Sequence, residues 1–313
     1  MSELFAVGPT PKPCAVCGFG SSLSFVHVLS SDGLRAGRTA VGMRYEQQEI
    51  DRYSDSELLA FAGQSVAAHS YDRRMALRLG AYYGVTDTLA IGLDLPWVNN
   101  VGLREAQDSP SPDIEDNGNQ TGLGDASLTA QWTFHRDEAA GRSASLYVGA
   151  KLPTGRTHET TPGGERLEPD HQLGSGSTNP LLGLAGNQQV GQAVLGASAI
   201  YELATDGTLD SNLGDILRIN LGVGWSPQQV QGNSLRWTFL LEALGEWRDR
   251  AELDGATDEN TGGTQLFVAP GFRATWNEDV SCYGSVSFAL VEDLNGEQAD
   301  TDVRFATGFA VVF

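Results

Sequence analysis

The amino-acid sequence predicts an all-β protein, a transmembrane antiparallel up-and-down β-barrel of about twelve strands, of the bacterial outer-membrane type. Three observations predict it: segments that alternate apolar and polar residues, linkers that alternate between short and long, and aromatic residues near segment ends. Because only every second residue of a barrel strand faces lipid, a mean hydropathy of −0.23 is compatible with a membrane protein.

The alternation has a period of two residues and continues from Arg38 to the C-terminal Phe313, as expected for strands with two different faces. Each segment is long enough for the roughly 9 to 11 residues with which a tilted strand crosses a bilayer. The predicted strands cover residues 37–51, 72–85, 88–103, 122–136, 142–154, 178–189, 192–204, 214–226, 234–249, 263–276, 279–291 and 301–313.

The linkers favour the outer-membrane arrangement of short periplasmic turns and long extracellular loops. Short turns follow predicted strands two, four, six and ten, whereas long polar loops follow strands one, three, five and nine. The long loops cover residues 54–71, 105–121, 156–177 and 250–262. An even strand number places both chain ends on the periplasmic side.

The two faces of the predicted strands indicate which side meets lipid. In the ninth strand Trp237 and Phe239 share one face, whereas Arg236 and Glu242 share the other. All six tryptophans fall on the apolar face, most of them near strand ends, where interfacial aromatic girdles lie. We therefore expect apolar side chains on lipid and charges in the lumen; a soluble β-sandwich with a tryptophan core is the alternative.

The inward face predicts a charged lumen that sets selectivity, as charged rings do in pores. Most of these charges are expected to pair with one another, because pairing reduces the cost of placing ions in a partly dry interior. The predicted lumen residues are Arg38, Arg44, Arg74, Arg78, Asp94, Lys151, Arg218, Arg236, Glu242, Glu246, Arg248, Arg273 and Arg304.

The net charge of −20 argues against nucleic-acid binding, which needs clustered Lys and Arg.

No secretion signal is visible at the N-terminus, so we expect that a signal peptide has been removed and that the protein lies in the outer membrane of a Gram-negative-type bacterium. The expected partners are outer-membrane lipid and lipopolysaccharide, the barrel-assembly machinery, which would recognise the terminal Phe313, and a small-molecule solute. No cofactor is expected.

Residues 1–35 precede the first strand and are predicted to form an N-terminal periplasmic or plug segment, with residues 36–313 as the barrel. Within it, Cys14 and Cys17 could form a disulfide, a redox pair or half of a metal site. A structural disulfide is favoured, and no metal-binding residues are predicted. Cys282 falls on the lipid face.

Two alternatives to a channel stay open. A lipid hydrolase or acyltransferase barrel needs Ser and His on adjacent strands, but only His135 falls in a predicted strand and no G-x-S-x-G occurs, so no catalytic residues are predicted. A structural or cation- and lipopolysaccharide-binding barrel without transport could use acidic loops such as Asp113, Glu115 and Asp116, which offer the hard oxygen ligands of Ca²⁺.

Three glycine-containing motifs carry a resemblance to a known family. They are Gly122-Leu123-Gly124-Asp125, Lys151-Leu152-Pro153-Thr154-Gly155 and Leu173-Gly174-Ser175-Gly176-Ser177. In this order and spacing the chain, from about Arg38 to Phe313, resembles the phenol-degradation meta-pathway outer-membrane proteins, a transporter-like group. The resemblance implies a barrel that passes small, often hydrophobic or aromatic molecules across the outer membrane, and it implies no catalytic residues.

Overall fold

The computed structural model describes residues 25–63, 69–106, 113–227, 235–276 and 279–313. Cys14 and Cys17, and with them the predicted disulfide, lie outside the described residues. Twelve antiparallel strands form the barrel, with the fourth in two pieces. They are β1 (Thr39–Ile50), β2 (Arg73–Gly84), β3 (Leu89–Ala106), β4 (Ile114–Leu123 and Ala126–Asp137), β5 (Arg142–Leu152), β6 (Asn179–Val190), β7 (Ala193–Glu202), β8 (Ile216–Trp225), β9 (Leu235–Arg248), β10 (Gly263–Trp276), β11 (Val280–Leu294) and β12 (Thr301–Val312).

The barrel closes between its first and last strands. Each strand pairs with its sequence neighbours, and β1 pairs with β12 in a register that includes Ala40↔Val312 and Met43↔Phe309. Closure removes sheet edges, so the backbone polar groups of the wall find partners without water, as a bilayer requires. The prediction of a twelve-stranded antiparallel barrel is confirmed.

The fourth strand differs from its prediction. Its first piece pairs with the C-terminal half of β3, with Trp97 opposite Leu123. Its second piece pairs with the N-terminal half of β3, with Leu89 opposite Trp132. The predicted loop over residues 105–121 is wrong, because β3 continues to Ala106 and β4 begins at Ile114. This hairpin carries mostly polar residues, so it lacks the apolar face by which the other strands are recognised.

The first long loop contains a short helix, α1 (Asp55–Ala62), that was not predicted. Ser54 caps it: the Ser54 hydroxyl accepts a hydrogen bond from the Glu57 amide, and the Glu57 carboxylate accepts one from the Ser54 amide. This capping box is visible in the sequence as Ser-x-x-Glu. Among the described residues, no helix is both long and apolar enough to cross a membrane.

The two faces of the barrel lie as predicted. Trp237, Phe239 and Phe309 point outward with exposed fractions of 44%, 51% and 43%, and all six tryptophans are between 39% and 55% exposed. Inside, Glu242 and Arg273 are each only 1% exposed. An apolar outer surface around a charged interior is the arrangement of a transmembrane barrel, and it excludes the soluble sandwich.

The lumen as candidate functional site

Residues 25–34, here called the lumen segment, lie inside the barrel against inward-facing wall side chains. Phe25, Val26, Val28 and Leu29 are each no more than 3% exposed. Phe25, Val26 and Val28 pack in one apolar cluster with wall residues that include Tyr283. The segment forms no strand of its own, so its backbone polar groups must find partners in wall side chains.

Glu242 of β9 supplies the main acceptor for this backbone. Its Oε1 accepts hydrogen bonds from the amides of His27 at 2.8 Å and Val28 at 3.0 Å. Its Oε2 accepts one from the amide of Val26 at 3.1 Å. Three successive backbone N–H groups thus converge on one carboxylate, in the manner of an anion-binding nest.

Two arginines bind the carbonyl groups of the same stretch. Arg44 of β1 donates from Nη1 to the Val26 carbonyl at 2.6 Å, and Arg273 of β10 donates from Nη2 to the Phe25 carbonyl at 2.8 Å. Hydrogen bonds to charged groups contribute about 1.5–3 kcal/mol each. The wall therefore holds the segment with charges of both signs, on opposite sides of the same peptide units.

The second half of the segment binds the opposite wall. The Ser31 and Ser143 hydroxyls lie 2.8 Å apart, the Gln131 amide donates to the Ser30 carbonyl at 3.0 Å, and Asp32 forms an ion pair with Arg136. The chain then leaves the lumen at the end that carries the short turns, where the Gly37 amide donates to the Gly84 carbonyl at 2.8 Å.

Two glycines make room for the Phe25 ring. Gly196 of β7 and Gly222 of β8 are register partners in adjacent strands. A Cβ atom at Gly196 would lie 2.3 Å from the ring, and one at Gly222 would lie 2.5 Å from it. Both distances are far below van der Waals contact, so the two glycines form a flat seat for the ring.

Gly196→Ala is therefore expected to destabilise the folded barrel by about 1–3 kcal/mol, the typical cost of overpacking. Adding Phe25→Ala should remove much of that penalty, because the two changes act on one contact and are not additive. Thermal unfolding of the single and double variants in detergent measures the coupling. Gly186→Ala is the control, since the nearest neighbour of its added Cβ atom would be the Ser143 carbonyl oxygen at 3.7 Å. Additive effects of Gly196→Ala and Phe25→Ala would contradict the proposed contact between the Phe25 ring and Gly196.

Most of the other charges on the inner wall form pairs. The Glu46 carboxylate bridges Arg44 at 2.9 Å and Arg78 at 2.7 Å. Glu246 accepts from Arg218 at 2.7 Å. The remaining contacts are an ion pair of Lys151 with Glu202, hydrogen bonds from Tyr82 to Asp94 and from Arg304 to Gln265, and cation–π contacts of Arg273 with Tyr283 and of Arg304 with Phe267.

Three of the predicted lumen residues lie apart from this network, and a fourth, Arg248, lies at its edge. Arg38 is exposed and pairs with Asp279 at 2.8 Å, near the short turns. Arg74 is exposed and lies over the Tyr71 ring, and Arg248 is 43% exposed at 3.6 Å from Glu246. Arg236 is half-buried on the inward face of β9. These residues line the two rims or the wall away from the lumen segment.

A Ser–His pair occurs in the lumen, where the sequence did not predict one. His27 Nε2 lies 2.8 Å from the Ser285 hydroxyl, and His27 Nδ1 lies 3.2 Å from Arg44 Nη2. A guanidinium has only donors, so Nδ1 must accept and Nε2 must carry the proton. In this tautomer His27 donates to Ser285 and cannot act as its base, which argues against a serine nucleophile at this position.

The three glycine motifs meet at one carboxylate on the long-loop side of the wall. Asp125, in the break of β4, accepts from the Gly155 amide at 2.9 Å, the Ser175 amide at 2.8 Å and the Ser175 hydroxyl at 2.7 Å. A Cβ atom on Gly155 would lie 2.6 Å from the Gly174 Cα. The motifs therefore join the break in β4 to both ends of the loop between β5 and β6, and their role is structural.

The fold is shared with outer-membrane proteins of known structure, whereas no curated protein matches the chain in sequence. An outer membrane channel from Pseudomonas putida F1 is 16% identical, with 90% of this chain and 98% of that chain covered and a TM-score of 0.60. The NanC porin is 10% identical, with 88% and 99% covered and a TM-score of 0.45. The CymD monoaromatic hydrocarbon channel is 11% identical, with 90% and 89% covered and a TM-score of 0.42.

The family comparison covers most of the barrel. Residues 47–297 match the family model described as "Putative MetA-pathway of phenol degradation". The match includes all three glycine motifs and every strand between β2 and β11. The chain is an outer-membrane β-barrel and belongs to this family.

Proposed function

We propose that the protein is an outer-membrane channel for a small hydrophobic or aromatic solute, and that the lumen segment is its constriction. The observation that supports this most is how the segment is held. Wall side chains bind its backbone through polar contacts, with Glu242 accepting three amide hydrogen bonds, and no strand pairing fixes residues 25–34 in the sheet. Such contacts can be exchanged for water one at a time when the segment moves.

The interior chemistry supports a solute with both an apolar body and a polar group. Tyr283 and Leu240 line the apolar cluster around Phe25, and the Glu46 and Glu246 ion pairs lie on the same inner wall. Binding sites for small molecules combine a mainly apolar lining with a few fixed polar groups. A phenol-like molecule has this character, in keeping with the description of the family.

Planar-bilayer conductance tests the channel and the constriction together. The full chain is expected to conduct weakly, and a variant lacking residues 1–35 is expected to conduct several-fold more, because its lumen would fill with water. A closed barrel with a structural role would show no conductance in either form. Phospholipid hydrolysis by the purified full chain would instead favour the enzyme.

A disulfide lock tests the constriction without removing any residue. The hydroxyls of Ser31 and Ser143 are 2.8 Å apart, so Ser31→Cys with Ser143→Cys places two thiols close together. The background carries Cys14→Ser, Cys17→Ser and Cys282→Ser to prevent other pairings. The oxidised protein is expected to stay in its low-conductance state and the reduced protein to behave like its parent.

The two outcomes of the lock are distinct. If the oxidised protein conducts as well as the variant lacking residues 1–35, the lumen segment is not the constriction. The single variant Ser143→Cys, treated in the same way, controls for the effect of oxidant on the barrel. Uptake of phenol compared with a sugar of similar size into proteoliposomes tests the solute class.

A further inference from the structure

Two histidines and an aspartate converge on the long-loop side of the barrel. His69 lies in a short strand, His69–Ser70, that pairs with Glu105 and Arg104 of β3. Asp170 and His171 lie in the 3-10 turn Pro169–His171 of the loop between β5 and β6. The Asp170 Oδ2 is 3.4 Å from His69 Nε2 and 3.5 Å from His171 Nδ1, and the ligand atoms of all three residues lie within 4.8 Å of one another.

Polar atoms of this cluster are buried without a hydrogen-bond partner. His171 is fully buried, and among the described residues neither its Nε2 nor the Asp170 Oδ1 has a partner. A buried polar atom without a partner costs about 1–3 kcal/mol. A cation bound by both oxygens of the Asp170 carboxylate would relieve that cost at Oδ1, whereas His171 Nε2 lies on the side of its ring away from Nδ1. The apolar side chains of Tyr71, Leu103 and Leu167 pack in one buried cluster close by, so a cation bound here would be shielded from bulk water on that side.

We propose that His69, Asp170 and His171 form a binding site for a divalent transition-metal ion of the zinc class, which ties the first long loop to the loop between β5 and β6. The spacing fits: ligand atoms about 2.0–2.1 Å from a tetrahedral zinc ion are about 3.3 Å from each other. The observed nitrogen-to-oxygen separations of 3.4 and 3.5 Å need little adjustment.

The ligand chemistry selects the class of ion. Imidazole nitrogen suits Zn²⁺, Cu²⁺ and Ni²⁺, whereas Ca²⁺ and Mg²⁺ prefer sites made only of oxygen. Each imidazole binds a metal ion in its neutral form.

Tyr71 competes with the ion for one ligand atom. Its hydroxyl lies 2.8 Å from His171 Nδ1, the same nitrogen that faces Asp170. Metal binding must therefore displace this hydrogen bond, which makes the site weaker than one in which the nitrogen is free. Three protein ligands also leave a fourth position for water, as in open zinc sites.

Calorimetry with Zn²⁺ and the detergent-solubilised full chain tests the proposal. The chain carries Cys14→Ser and Cys17→Ser, so that these thiols cannot hold metal. We expect one Zn²⁺ per chain, at least tenfold weaker binding in His69→Gln and Asp170→Asn, and tighter binding in Tyr71→Phe. His69 and Asp170 are partly exposed, with 25% and 23% of each side chain accessible, so both variants are expected to fold.

His158→Gln is the matched control, because His158 is an exposed histidine of the same loop as His171. Its Zn²⁺ binding should equal that of the parent. With Co²⁺ as the probe, visible d–d absorption should appear in the parent and be lost in His69→Gln. No heat with Zn²⁺, equal binding in all variants, or equal binding of Ca²⁺ and Zn²⁺ would each overturn the site.

Discussion

Glu242→Gln is expected to raise the open probability of the channel by about a hundredfold. The amide nitrogen of glutamine cannot accept a hydrogen bond, so at least one of the three segment amides loses its acceptor, and the others lose charge assistance. Hydrogen bonds to a charged group contribute about 1.5–3 kcal/mol each, and a loss of about 3 kcal/mol corresponds to a factor of about a hundred in an equilibrium constant. Single-channel recording in planar bilayers measures the change.

Glu246→Gln is the matched control for this variant. It removes the same charge from the same strand, four residues away, but Glu246 pairs with Arg218 and Arg248 and has no hydrogen bond to residues 25–34 of the lumen segment. The control is expected to alter ion selectivity and leave the open probability within a few-fold of the parent. Equal effects of the two substitutions would show that opening depends on the charge of the lumen and not on the hydrogen bonds between Glu242 and the lumen segment.

Asp125→Ala is expected to destabilise the folded barrel by about 3 kcal/mol, from the loss of three hydrogen bonds to one carboxylate. The stability of the whole barrel should fall, because Asp125 joins the break in β4 to the loop between β5 and β6. Urea-induced unfolding in micelles, followed by tryptophan fluorescence, measures the free energy of unfolding.

Asp206→Ala controls for removal of an aspartate from the long-loop side. Asp206 is exposed and accepts a long, 3.5 Å hydrogen bond from Asn212, so its loss should change stability by no more than about 0.5 kcal/mol. A comparable loss of stability in both variants would mean that the three motifs do not depend on Asp125. Asp125→Asn, which keeps one acceptor oxygen, should fall between the parent and Asp125→Ala.

The strands were predictable because lipid and lumen impose opposite chemistry on alternate residues. In β9 the alternation of Trp237 and Phe239 with Arg236 and Thr238 already indicates which face is which. The first piece of β4 was not predicted, because it lacks this alternation. In Asn119, Gln120 and Thr121 neither face of the strand is apolar, so the sequence does not indicate which face meets lipid. Strand pairing there is visible only in three dimensions.

The inner wall was predictable as a set of charges but not as a set of partners. The alternation places Glu242 and Arg44 inside, yet nothing local indicates that they bind the backbone of residues far away in sequence. The same limit applies to the histidine cluster, because His69 and His171 lie on different loops. The Ser54 cap of α1 differs from both, since its signal is local and visible in the sequence.

The hydrogen bonds that hold the lumen segment determine which substitutions it tolerates. Glu242, Arg44, Arg273 and Ser198 all bind main-chain atoms of residues 25–29, and main-chain atoms are the same whatever the side chain. Substitutions along this stretch should thus leave these main-chain contacts in place. Those at Phe25, Val26, Val28 and Leu29 would also disturb buried apolar packing. The position of the lumen segment is therefore determined largely by side chains of the surrounding barrel strands.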